Sequence, residues 1–352
     1  MRPIRITAAV LTVTVLLTAA SAREISQPVG SYSVYAGGSL SVDRNVEIGG
    51  AIGSAGDTWL DRDVSVDGDA YSGRDFTISR NVHVSGTAVL ARDAWGDRDS
   101  SVGGMHAGRN AGLARGSAVN GHLAAGGNVG MDRDAAVSGD MSYGRSYWMG
   151  HGAKVDGQIG KNSREIDTWV APEMSGAFGG SGGSDLYYAG SSSEDLSAGS
   201  YGRLNASSGS TLRLTAGTYS FSRAYLGSGV QVQADTSGGN VVIEIADSLS
   251  TDREVSFTNV GGGDLLVKTH GGAYLARDNR LEGSLVDFGN GVSIDRNGHI
   301  TGGVASSGNV WMGRDGYVGG NLGGQVVPEP ATAALVGIGG ILTLLRRRRN
   351  RK

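Results

Sequence analysis

Four of the five tryptophans, Trp59, Trp95, Trp148 and Trp311, stand three residues before a basic residue: Arg62, Arg98, His151 and Arg314. Tyr274 stands at the same distance before Arg277. Aromatic rings held in one register are groups that stack, either on flat apolar faces such as those of sugars or on neighbouring side chains of the fold. Two uses are open from the sequence: a stripe of rings for a polysaccharide, or corner packing between successive turns.

Bond-breaking chemistry asks for a different pattern, with acids clustered at one place or a metal beside a base. The 34 Asp and Glu residues are instead spread along the chain. The six histidines, His83, His106, His122, His151, His270 and His299, fall at scattered offsets, with only His83 and His299 sharing one. They form no Ser-His-Asp set by spacing. With no cysteine there is no disulfide framework, thiolate metal site or cysteine nucleophile. The run DRDVSVDGD, residues 61–69, lacks EF-hand spacing and is followed by Ser72 where a bidentate glutamate belongs. The run GGSGGSDLY, residues 179–187, is similar to a calcium β-roll repeat but occurs once. Threonine recurs at no single offset, so the ladder expected of an ice-binding face is missing. No catalytic residue, cofactor or metal is expected.

The elements that position the rings follow from a repeat. Arg44, Arg62, Arg80, Arg98, Arg115 and Arg133 are 17 or 18 residues apart, and His151 takes the next place. Four residues after each anchor stands a branched apolar side chain: Ile48, Val66, Val84, Val102, Val119, Val137 and Val155. Six residues after stands glycine: Gly50, Gly68, Gly86, Gly104, Gly121, Gly139 and Gly157. The frame returns at Arg277, Arg296 and Arg314.

Apolar residues at even offsets with polar ones between them mark strands with one buried face. A turn of 18 residues is too short for two packed helices and suits one turn of a parallel β-helix. The residue after the anchor is Asn45, Asp63, Asn81, Asp99, Gly116, Asp134 or Gly152. These types tolerate left-handed backbone, which predicts a corner there. Asp43, Asp61, Asp97 and Asp132 stand beside the stacked arginines as a solvated charge ladder or, less simply, part of a ligand site. The repeat resembles the bactofilin family and related polymer-forming β-helix domains, which implies a similar hydrophobic interior; self-association is then possible.

Glycine accounts for 61 of 352 residues and aromatics for only 6%, while hydrophobic residues reach 39%. That combination fits a thin repetitive β core better than a thick globular one or disorder. Residues 1–22 read as a signal peptide: Arg2 and Arg5, an apolar stretch from Ala8 to Ala20, then Ala20-Ser21-Ala22. Without the basic residues of the two ends, 23 basic residues face 34 acidic ones, which argues against nucleic acid as a partner.

The chain closes on VPEPATAALVGIGGILTLLRRRRNRK, residues 327–352. Ala331 to Leu345 carries no charge and as a helix reaches about 22 Å, short for a hydrocarbon core of about 30 Å. Pro328-Glu329-Pro330, this apolar run and the cluster Arg346, Arg347, Arg348 and Arg349 resemble the PEP-CTERM sorting signal. The resemblance implies insertion in the inner membrane, recognition by an exosortase, cleavage near the Pro-Glu-Pro motif and delivery to the cell surface or medium. A plain tail anchor is the other reading.

The expected organisation is a signal peptide (1–22), a β-helical block (23–160), a Gly/Ser-rich linker or loop (161–204), a second β-helical block (205–326) probed by the stretch STLRLTAGTYSFSRAYLGSGVQVQ, and the sorting signal with a short transmembrane helix (327–352). The expected class is an all-β parallel β-helix of 18-residue turns, exported and without enzymatic activity, associated with matrix polysaccharide. A carbohydrate-active β-helix enzyme and a self-polymerising scaffold are the alternatives.

Overall fold

The computed structural model describes residues 24–162 and 166–322. The expected signal peptide and the sorting segment, with Pro328, Glu329, Pro330 and Arg346 to Arg349, lie outside the described residues. The described chain is an all-β parallel solenoid: apart from a 3-10 turn at Val29–Ser31, every regular element is a strand. Among the described residues no helix is long and apolar enough to cross a membrane.

One rung shows how the sequence builds the rest. Leu40–Val42 alternates buried, half-buried and buried, so Leu40 and Val42 point inward and Ser41 outward. The chain turns at Asn45, with φ 56°, and pairs again over Glu47–Ile48 with Ile48 inside. It then bends at Gly49 and Gly50 and passes through Ile52–Ser54 before the next rung opens at Thr58–Leu60. The left-handed corner returns at Asp63, Asn81, Asp99, Gly116, Asp134 and Gly152, as the residue types predict. The glycines at the bend answer a different need, close approach of successive rungs. A Cβ on Gly68 would lie 2.6 Å from the Ala51 nitrogen.

The column Ile48, Val66, Val84, Val102, Val119 and Val137 is 0–1% exposed, while Val155 on the last rung of this block is half-buried. Each fully buried side chain of this kind contributes roughly 1.5–3 kcal/mol. Because each rung touches only its neighbours, stability accumulates rung by rung.

The second block begins earlier than its arginines suggest. Its left-handed corners fall at Ser191, Gly209, Gly229, Glu254, Asp278, Asn297 and Asp315, between 18 and 25 residues apart. The first strand is Leu186–Tyr188, inside the stretch whose composition reads as linker. Rungs of unequal length conceal the period, and Gly190, Ser208 and Ser228 replace the arginine before the corner.

The two blocks stack out of chain order. The last rung of the second block lies on the first rung of the first: Val304 pairs with Val34, Trp311 with Ser41, and Tyr317 with Glu47. One face of the rod is consequently a single 14-stranded parallel sheet. At the usual interstrand spacing these strands make a rod of about 60 Å. The chain therefore has to return from one end to the other between Lys161 and Leu186. The 24 intervening residues can span at most about 80 Å, enough to cover the length of the rod.

The described part of that return, a strap, follows the outside of the rod. Asp167 meets His106 at 3.1 Å, the Trp169 indole N–H donates to the Tyr32 hydroxyl at 2.9 Å, and Phe178 meets the ring of His270 at 5.4 Å. Thr168–Val170 also pairs with Glu24–Ser26. Beneath the strap, outward residues that would otherwise face water are apolar and buried: Tyr35, Tyr71, Val89, Val286 and Ala305. They form a second core outside the solenoid, which explains why strands such as Val34–Ala36 are buried on both faces.

Candidate functional site

Each strand of the 14-stranded sheet turns its central residue outward. In stacking order these residues are Tyr187, Asn205, Tyr225, Ser250, Tyr274, Ser293, Trp311, Ser41, Trp59, Thr77, Trp95, Gly112, Gly130 and Trp148. All five aromatics singled out by spacing, Trp59, Trp95, Trp148, Tyr274 and Trp311, lie on this one line. Their exposures run from 39% to 59%, so each ring rests partly on the sheet and shows the remainder to solvent. They occupy strand centres rather than corners.

Tyr187 and Tyr225 join them, at 67% and 39% exposed. The arginine register misses both because Gly190 and Ser228 stand where it expects a basic residue. The signal that finds them is the left-handed corner itself, which follows each aromatic by four residues, at Ser191 and Gly229. The fifth tryptophan, Trp169, belongs to the strap and is 5% exposed.

Local chemistry fixes several of the rings. The Tyr225 hydroxyl donates to Asp252 Oδ2 at 2.8 Å, and this bond, with burial second, holds its phenol pKa above the usual value. The Tyr187 hydroxyl donates to Asp185 Oδ2 at 3.3 Å. Trp95 lies across the neighbouring strand: a Cβ on Gly112 would overlap Cε3 and Cζ3 of the indole. Gly112 is the residue that lets the ring lie down.

One edge of the aromatic line is bordered by a ladder of side-chain oxygens. Asp57, Asp75 and Asp93 each accept the backbone N–H of the residue one rung on, at 3.2, 3.1 and 3.0 Å, and Asn110 continues the series to Asn128 at 2.9 Å. Arg92 and Arg109 approach Asp75 and Asp93 at 3.5 Å. These exposed pairs are worth little in stability. They balance charge at the border of an uncharged strip.

The remaining candidate groups are dispersed. His83 Nδ1 bonds Ser101 Oγ at 2.7 Å, His299 stacks on Tyr317 at 4.6 Å, and His106 is held by Asp167. Among the described residues no three His, Cys, Asp or Glu side chains are placed to hold a metal ion. Ser72 is buried, and its single hydroxyl proton is shared between the Gly56 and Asp75 carbonyls, 3.0 and 2.9 Å away.

No family model and no curated protein matches the chain. A solved structure described as the crystal structure of ice binding protein from an Antarctic bacterium Flavobacteriaceae is 12% identical, with a TM-score of 0.28. The match covers 82% of this chain and 96% of that one.

Proposed function

We propose that this is an exported, non-enzymatic surface protein that holds extracellular polysaccharide on its aromatic strip after sorting by an exosortase. The observation that carries the reading is the line of seven exposed rings along one in-register sheet. Rings left half in water are costly, and a ligand with flat apolar faces covers them while keeping its hydroxyls solvated.

The sorting half of the reading is supported by the order of elements in residues 327–352. It places the protein in the inner membrane before cleavage and at the surface or in a biofilm matrix afterwards. The geometry of the rod suits such a tether. Val29 and Leu322, near the two ends of the described chain, both pack into the core beneath the strap, away from the aromatic sheet. Attachment through either end leaves the strip free.

End-to-end polymerisation suits the rod less well. Glu194 lies on the terminal rung, in register with the buried Leu212, where every other rung turns an apolar side chain inward. A further rung stacked there would bury the carboxylate.

The test is binding of the protein to matrix polysaccharide from a producing cell. The Trp59→Ala, Trp95→Ala double variant should weaken binding and keep the β circular-dichroism signal. If it stays folded and binds as well as the native chain, the strip is not the binding surface.

A further inference from the structure

We infer that the strip recognises an uncharged, extended β-1,4-linked glycan lying along the rod axis, with one ring for every second sugar. This rests on the polysaccharide reading above and adds the linkage, charge and orientation of the ligand.

The first observation is a strict alternation. From Tyr187 to Trp95, aromatic residues occupy every second strand and small polar ones occupy the strands between. Two rungs place successive rings about 10 Å apart. In an extended β-1,4-linked glycan each sugar is turned over relative to the last. The same ring face therefore returns at every second sugar, and the disaccharide repeat is close to this length. Six rings in phase would meet about five such repeats over about 50 Å. Between them Asn205, Ser250, Ser293, Ser41 and Thr77 offer hydrogen-bonding groups opposite the inverted sugars.

The second observation is that the alternation survives the junction. Trp311 and Trp59 are far apart in the chain, yet Ser41 alone separates them in the stack. Folding of either block places no demand on the phase of the other. A ligand that spans the junction does.

The third observation is charge. None of the fourteen central residues is ionisable at neutral pH, and beside the strip Arg92, Arg109 and Arg314 lie within 3.5–3.9 Å of Asp75, Asp93 and Asp315. A polyuronate would lay its carboxylates on a line of residues that itself holds no cation and is bordered by Asp57, Asp75 and Asp93. A neutral glycan meets no such opposition. Helical glucans, α-1,4 or β-1,3 linked, would lift away from a straight line of rings within a few sugars.

The experiment measures binding of the full chain to amorphous cellulose and chitin, with amylose, β-1,3-glucan and polygalacturonate alongside. Binding to the first two should be at least about tenfold tighter than to the rest. In the phase-shifted variant Trp59→Thr with Thr77→Trp, one ring moves by one rung and the number of rings is unchanged. It should bind cellulose as poorly as Trp59→Thr alone, roughly tenfold below the native chain.

A second readout needs no variant. Affinity for soluble cello-oligosaccharides should step up at the trisaccharide and the pentasaccharide, where another ring is reached, and change little at the tetrasaccharide. If the phase-shifted protein binds like the native one, or affinity grows evenly with each sugar, the period plays no part and only the broader polysaccharide reading survives. Equal binding to amylose would overturn the linkage. If the native chain binds none of these glycans and no matrix polysaccharide, both readings fall together.

Discussion

The strap offers the sharpest test of how the rod is assembled, through Trp169→Ala. Trp169 is 5% exposed, its ring lies 5.7 Å from Tyr71 and 6.4 Å from Tyr32, and its N–H reaches the Tyr32 hydroxyl. An indole buries on the order of 200 Å², which at about 25 cal/mol per Å² is at most about 5 kcal/mol. Truncation also removes a hydrogen bond to a hydroxyl that is itself buried, worth about 1 kcal/mol. The expected cost is about 3–5 kcal/mol, the usual range for a buried tryptophan. Its location matters as much as its size. Rungs contact only their neighbours, so the loss should fall on docking of the strap and leave the solenoid standing. Hydrogen exchange of peptides covering residues 166–178 should therefore accelerate by more than about a hundredfold, since 1.4 kcal/mol is a factor of ten. Peptides of the aromatic sheet, such as that containing Thr58–Leu60, should keep their protection. Trp169→Phe should fall between. Unchanged exchange in the strap would refute the claim that this ring holds it, and equal acceleration everywhere would refute the separation of strap from rungs.

The remaining predictions concern the interior, the tyrosines and the tail. Val84 is fully buried and His83 exposed, so Val84→Asp should cost several kcal/mol in urea unfolding while His83→Asp costs little; equal losses would mean the strand faces are reversed. Burial pushes the phenols of Tyr35 and Tyr71 up to about 12, that of Tyr71 with help from Asp69, and raises Tyr32 further. Their stabilising effect is complete below the unfolded pKa near 10 and is lost as pH rises towards 12. The urea midpoint should therefore drop across that window, and Tyr35→Phe with Tyr71→Phe should flatten the drop. Mass spectrometry of surface-located protein should find no peptide containing Leu345; its persistence would replace sorting by a plain tail anchor.

Much of this protein can be read locally, because a rung is a local object. Alternation in Leu40-Ser41-Val42 tells which side chains face inward, and Asn45 or Asp63 before the next apolar pair marks a left-handed corner. A glycine such as Gly68 records how closely the next rung passes. The tryptophan register is legible for the same reason: position within a rung decides which face a residue joins. Where rungs lengthen, as between Gly229 and Glu254, the count breaks down although the corner persists, and Tyr187 and Tyr225 disappear from view.

Stacking order is another matter. Parallel rungs offer nearly equivalent edges, with apolar side chains inside and backbone N–H and C=O groups facing along the rod. Nothing within Val34–Ala36 or Val304–Ser306 says that one must lie on the other. That pairing becomes favoured only once the return segment, long enough to span the rod, docks Trp169 and Phe178 on a face that is apolar in both blocks. The sequence alone thus determined the rung, its corner and the shared register of Trp59, Trp95, Trp148, Tyr274 and Trp311. Only the tertiary structure decided that Trp311 and Trp59 stand two rungs apart and that seven rings form one line, because that proximity depends on contacts between residues hundreds of positions apart.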